Sequence, residues 1–178
     1  MTECMRTNPA KKDAQALVDE FIVFAEKRLS EHGEFYPFGG RMNVDGEIVW
    51  EGASDGTEHP RSQPLIEILR ESHRQKAIKG EIRASCIVYD IRTLPPGKEQ
   101  KQDAIAIEID HRDDYAVVVV FPYTLSADGV LSVEEPFAVS RDNTTFAPDP
   151  DGLLASSWEI TSESLTSADL PLDKAQLQ

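Results

Sequence analysis

Residues 110–115, Asp-His-Arg-Asp-Asp-Tyr, place an imidazole among three carboxylates and beside a guanidinium. His111 backed by Asp110 or Asp113 is the kind of pair that general-base chemistry uses: the acid orients the ring and the ring takes the proton. Two considerations weigh against it. Neighbours in a strand point to opposite faces, so Asp110 and His111 diverge unless a bulge re-aims one of them. The hexapeptide also lies between two apolar runs, and a chain reversing there needs polar, locally hydrogen-bonding residues whatever the function. The stretch therefore reads as a solvated turn, with Asp110, His111, Asp113 and Asp114 as candidate binding residues and no catalytic one.

Other chemistry finds less support. His32, His59, His73 and His111 stand in separate segments, without the i, i+4 spacing that puts two imidazoles on one helix face, so no metal site is expected. Asp149-Pro150-Asp151-Gly152 fails as a calcium loop, because Ala147 and Trp158 would occupy the terminal ligand positions. There is no glycine-rich phosphate loop and no G-x-S-x-G elbow, and no cofactor is expected. Cys4 and Cys86 are the only cysteines, too few for a disulfide framework, and Cys86 is expected to be buried and inert.

Charge narrows the partners. With 32 acidic against 18 basic residues, the net charge of -14 opposes phosphate neutralisation and anionic membranes, and it suits a basic protein partner. Residues 70–83 run the other way: Arg70, Arg74, Lys76, Lys79 and Arg83 face only Glu71 and Glu81. Cations near a helix C-terminus complement its dipole, and the alternative is a patch for an acidic partner or for the chain's own acidic tail. In Glu-Phe-Tyr-Pro-Phe-Gly-Gly, residues 34–40, the aromatics are core candidates. An edge strand bent by Pro37 would instead expose Tyr36 beside Trp50 as an aromatic anchor. No signal-like segment opens the chain and no apolar run approaches the ~18 residues of a spanning helix, so a cytoplasmic location is expected.

The elements that carry these residues follow from periodicity. Ala14, Leu17, Val18, Phe21, Ala25 and Leu29 recur at helical steps from Pro9 to about Glu31, with Asn8 as N-cap, Asp13 as a later alternative start, and Gly33 as stop. Strands at 35–44 and 47–51 flank Asp45-Gly46, expected as a two-residue turn with positive φ. Pro37 and Gly39-Gly40 predict a bend or an edge in the first of them. A second helix over 64–79 carries Leu65, Ile66, Leu69, His73 and Ala77 on one stripe and stops at Gly80. Strands follow at 81–94, 103–110 and 115–123, the last, apolar on both faces, being the best candidate for a central one. Asp128-Gly129 then turns into one further short strand.

The order α-β-β-α-β-β-β predicts an α+β domain over residues 1–146, a mainly antiparallel sheet of about five strands with two helices. In element order it is similar to the profilin-like and roadblock type of sandwich, a resemblance that implies a binding, scaffolding or sensing module. Residues 147–178, rich in Pro, Ser and Asp with Lys174 as their only basic residue, are expected as an acidic, mostly disordered tail holding a docking segment around Leu153, Leu154, Trp158 and Ile160. The function expected is a non-enzymatic cytoplasmic protein-binding module with an acidic surface, an immunity- or antitoxin-like inhibitor being one instance. Tyr36, Trp50, Asp110, Asp113 and Asp114 lead its candidate contacts. One alternative is a small-ligand sensor or enzyme with a pocket lined by Tyr89, His111, Tyr115 and Arg83; another is a homodimer through the bent edge strand.

Overall fold

The computed structural model describes residues 8–148. Helix α1 runs Pro9–His32. Asn8 caps it, its side chain accepting the Ala10 N–H at 3.0 Å, and Pro9 fills the first turn, where its missing donor costs nothing. Gly33 ends it in the left-handed region at φ 75°, donating to Leu29 O. The expected apolar stripe from Ala14 to Leu29 is the buried one.

Strands β1 (Phe38–Asn43) and β2 (Ile48–Gly52) form the first hairpin. Its connection differs from the expected two-residue turn. Asn43 N–H donates to Glu47 O, Gly46 N–H donates to Asn43 O, and only Gly46 has positive φ (96°), so three residues make the loop and Gly46 forms a bulge. Ser126–Val130 repeats the pattern around Gly129. Helix α2 (Ser62–Ile78) comes next, then β3 (Ile82–Thr93), β4 (Gln102–His111), β5 (Tyr115–Leu125), β6 (Leu131–Val133) and β7 (Phe137–Ser140).

The α+β class is as expected, with seven strands rather than about five. All ladders are antiparallel, in the order β2-β1-β3-β4-β5-β6, and β7 also pairs with β5. β5 is paired on both sides as foreseen, but the strand with the longer buried run is β4, from Ala104 to His111. β1 is interior and β2 is the edge, which corrects the edge-lying alternative for the first strand; the irregularity in β1, a register shift against β3, falls between Met42 and Asn43. Pro37 stands just before the ladder begins, where its lack of a donor does no harm.

The two helices lie on opposite faces. Phe21, Ala25 and Leu29 of α1 pack with Cys86, Val88, Ile105, Ile107 and Ile109, whereas Ile66 and Leu69 of α2 pack with Ile87. Cys86 and Ile87 are neighbours in β3 and so point to different sides. The glycine pair in β1 makes room for both layers. A Cβ at Gly40 would fall inside the Phe21 ring, and one at Gly39 would lie 2.8 Å from Cys86 O and 3.3 Å from His73. Among the described residues no helix is long and apolar enough to cross a membrane.

Candidate functional site

The open edge of the sheet carries an aromatic cluster. Trp50, on β2, stacks on Phe38 at 5.8 Å and 9° and contacts Phe21 at 4.2 Å and Phe24 at 5.3 Å. Phe35 joins through Phe38 at 5.8 Å. The cluster is built where β1 brings Phe38 and β2 brings Trp50 against the exposed side of α1. Phe21 and Phe38 close its inner side, while Trp50 (42%) and Phe24 (39%) remain solvent-exposed, as does Tyr36 (49%) on the approach to β1. Glu20 on α1 accepts the Trp50 indole N–H at 3.1 Å, fixing a large aromatic surface beside a carboxylate.

The acidic hexapeptide is divided by the fold. Asp113 and Asp114 lie exposed in the turn between β4 and β5, and Asp114 takes φ 55°, a left-handed conformation that aspartate tolerates. Asp110 and His111, each 2% exposed, belong to β4 and are not solvated, which corrects the reading of the whole stretch as a solvated turn. They do diverge to opposite faces. His111 reaches Asp13 of α1, Nε2 to Oδ2 at 3.0 Å, while its Nδ1 accepts the Asp113 N–H at 3.1 Å. Because Nδ1 is an acceptor, the proton sits on Nε2 and is donated to Asp13. Burial alone would raise the Asp13 carboxyl; hydrogen bonds from Arg83 (2.9 Å) and His111 outweigh it and hold the pKa below the ordinary value. Both ring nitrogens are thus engaged, Nε2 in holding α1 to the sheet and Nδ1 within the β4–β5 turn.

Asp110 faces the α2 side. There Arg141, just past β7, bridges it to Glu108, contacting the latter at 3.0 Å. The Thr145 and Thr144 N–H groups donate to Asp110 Oδ2 at 2.9 and 3.2 Å. Arg70 of α2 forks onto Glu108 through two bonds of 3.1 and 2.7 Å, and the Tyr89 hydroxyl donates to it at 3.2 Å. Burial pushes the Glu108 carboxyl up, but the charges of Arg70 and Arg141 override that and leave it lowered. The same burial, with Glu108 nearby, raises the Tyr89 hydroxyl.

A third polar cluster ties α2 to β2. Glu51 meets Arg41 and Lys76 (3.1 Å) through Oε1, and its Oε2 lies 2.7 Å from His73 Nε2, off the hydrogen-bond line. Burial opposes ionisation of Glu51, yet His73 and then Lys76 draw its pKa down to about 2. Three of the five cations in the basic run of α2 and β3 are accordingly paired within the domain, while Lys79 stays exposed at the end of α2. Arg70, Lys76 and Arg83 each hold a carboxylate, and Arg74 donates to Thr144 O at 2.8 Å.

Sequence reasoning singled out Tyr36, Trp50, Asp113 and Asp114, which are exposed, and Asp110 and His111, which are structural. It missed Glu51, Glu108 and Arg141. The only available signal was a charged residue at an alternating position of an apolar strand, as for Glu108 amid isoleucines and alanines. The four residues expected to line one pocket do not share a concavity. Tyr89 packs on the α2 face, whereas His111, Tyr115 and Arg83 adjoin α1 or its side of the sheet. Cys86 is 1% exposed and burial raises its thiol pKa, as an inert core cysteine requires. Among the described residues no group of three or more His, Cys, Asp or Glu could hold a metal ion. Comparison of the chain with family models, with curated proteins and with solved structures found no match.

Proposed function

We propose that the chain is a non-enzymatic cytoplasmic protein-binding module that captures a basic partner through the aromatic edge formed by Trp50, Phe24 and Tyr36. The observation that carries this reading is Trp50: a tryptophan 42% exposed, held rigid against Phe38 and hydrogen-bonded to Glu20, on the strand that ends the sheet. Rigid aromatics of this kind dominate binding energy at interfaces because they bury a large area and lose little freedom. An open edge adds backbone donors and acceptors for a partner strand.

The charge distribution favours a cationic partner. Arg41, Arg70, Lys76, Arg83 and Arg141 are tied to inward carboxylates, so the outer surface keeps an acidic character in line with the chain's net charge of -14. Asp113 and Asp114 supply an exposed acidic turn that steers such a partner in. An inhibitor of the immunity or antitoxin kind fits the same chemistry.

The test is affinity capture by the full chain, quantified against Trp50→Ala and Tyr36→Ala. A specific partner is recovered at least about tenfold less with Trp50→Ala, the loss expected of a hot-spot residue. Recovery from Asp113→Lys/Asp114→Lys falls as well and becomes less salt-sensitive. Capture that ignores Trp50 defeats the proposal, and sedimentation showing a dimer lost with Trp50→Ala would reassign the edge to a second copy of the chain.

A further inference from the structure

β2 ends the sheet, and among the described residues no further strand pairs with its outer side. The hairpin decides which of its backbone groups face outward. Asn43 N–H donates to Glu47 O, which makes these two a hydrogen-bonded pair, and in an antiparallel ladder such pairs alternate with non-bonded ones. Arg41 with Val49 and Gly39 with Glu51 are then bonded pairs, whereas Met42 with Ile48, Gly40 with Trp50 and Phe38 with Gly52 are not. The N–H and C=O groups of Ile48, Trp50 and Gly52 therefore point away from β1, a row of donors and acceptors along the open edge. At the end of that row the way in is clear, for a Cβ on Gly52 would meet no atom within 4 Å.

The usual guards of an edge strand are missing here. Ile48-Val49-Trp50-Glu51-Gly52 contains neither Pro nor Lys. Its one charge, Glu51, would oppose a second neighbour if it were unpaired, but Arg41 and Lys76 match it on the α2 side. On the α1 side Trp50 is fixed by the Phe38 and Phe21 rings and by Glu20. Side chains pinned on both faces hold β2 extended before anything binds, so a partner meets an edge that has little left to order.

Charge selects the occupant. The exposed charged side chains between residues 45 and 58 are Asp45, Glu47, Asp55 and Glu58, two before the strand and two after it, and all are acidic. A second copy would set the same carboxylates against them. Residues 149–178, expected within the acidic tail, lie outside the described residues and carry the same sign, with Lys174 as their only base. A cationic segment of another protein is the complementary choice.

We propose that β2 takes an extended segment of a basic partner as an eighth, antiparallel strand of the sheet, paired with the backbone of Ile48, Trp50 and Gly52 and carrying a lysine or arginine opposite Trp50. This rests on the reading of the Trp50 edge as a capture site and states the form of what is captured. Residues directly opposite in an antiparallel pair share a face, so that cation lies on the α1 side, beside the indole ring and the Glu20 carboxylate.

Calorimetric titration of the full chain with an acetylated, amidated octapeptide that alternates lysine and valine tests this. The peptide binds, and the version with glutamate in place of lysine binds at least about tenfold more weakly. N-methylation of the lysine amides, which face β2 when a lysine stands opposite Trp50, weakens binding at least about tenfold, and N-methylation of the valine amides, which face solvent, changes it less than about twofold. Amide exchange reports the same pairing: the Ile48 and Trp50 N–H groups exchange fast in the free chain and slow at least about tenfold with the peptide, while those of Val49 and Glu51 are protected in both. No binding of the lysine-valine peptide up to about 1 mM overturns the proposal. Binding that neither methylation pattern changes overturns it too; if that binding is lost in Trp50→Ala, aromatic capture stands and strand pairing alone falls. Methylation-sensitive binding that persists in Trp50→Ala keeps the added strand and removes the aromatic reading instead. Loss with valine methylation alone overturns the placement of the cation beside Trp50. A dimer of the peptide-free chain that the peptide dissociates gives the edge to a second copy and rejects the proposal.

Discussion

Glu51→Gln should destabilise the protein in a way that disappears in acid. The carboxylate sits 12% exposed between β2 and α2, against Arg41, His73 and Lys76, and its pKa falls from an ordinary 4.5 to about 2. A group depressed on folding contributes stability that is fully present above its unfolded value and is lost as pH falls through the folded one. For Glu51 that window runs from about 5 down to about 2. The gap between 4.5 and about 2, at ~1.4 kcal/mol per pH unit, amounts to about 3 kcal/mol. This agrees with the 3–5 kcal/mol, in order of magnitude, lost when one member of a buried ion pair is removed. Urea unfolding of both proteins at intervals from pH 7 to pH 2.5 measures it. The other carboxylates titrate alike in both chains, so the difference between the two isolates Glu51. The expected difference is about 3 kcal/mol at pH 7, shrinking below about 1 kcal/mol at pH 2.5. A difference that holds constant across the range would refute the assignment of Glu51 as the charged anchor of α2.

The remaining predictions concern packing, the split hexapeptide and residues 141–146. Gly40→Ala drives a methyl into the buried Phe21 ring and should cost about 1–3 kcal/mol, partly recovered by Phe21→Leu in a double-mutant cycle. Asp114→Ala should cost about 1 kcal/mol because φ 55° strains a side chain unable to hydrogen-bond locally, whereas Asp114→Gly stays within about 0.5 kcal/mol; thermal melts separate the two. Asp110→Ala leaves the Thr144 and Thr145 N–H donors without their acceptor and Arg141 with Glu108 as its remaining carboxylate, so it should cost about 2–4 kcal/mol and speed hydrogen exchange across 141–146. Charge reversal should discriminate in the same sense: Asp113→Lys folds normally and Asp110→Lys does not, as far-UV circular dichroism would report.

What could be read in the chain before folding was whatever is encoded locally. α1 announced itself through a stripe, a cap and a stop, and those three signals are independent of what the helix packs against. The hairpins were visible through Asp-Gly, although the dipeptide does not distinguish a two-residue loop from a three-residue one with a bulge at glycine; that choice depends on the register the flanking strands adopt. Strand order was not legible. Placing β1 inside the sheet requires knowing that Phe21 and His73 press on its glycines from opposite sides, two contacts separated from it by helices on different faces. β6 and β7 are short enough to carry little period of their own, and they exist because β5 offers them a ladder.

The candidate site was legible in the same uneven way. Exposed aromatics and turn aspartates are set by composition near a strand end, and Tyr36, Trp50, Asp113 and Asp114 came out on the surface. Asp110 and His111 did not, for a reason that applies beyond this chain: a polar pair beside a turn looks solvated until its partners, Asp13 and Arg141, arrive from 97 residues upstream of Asp110 and 31 residues downstream. The inward carboxylates each draw a base to themselves, Glu51 from α2, Glu108 from α2 and the segment after β7, and Asp13 from β3. Those pairs bind the helices and that segment to the sheet and at the same time remove cations from the surface. The aromatic cluster on the edge strand is anchored in a similar way, for Trp50 there donates its indole N–H to the Glu20 carboxylate of α1.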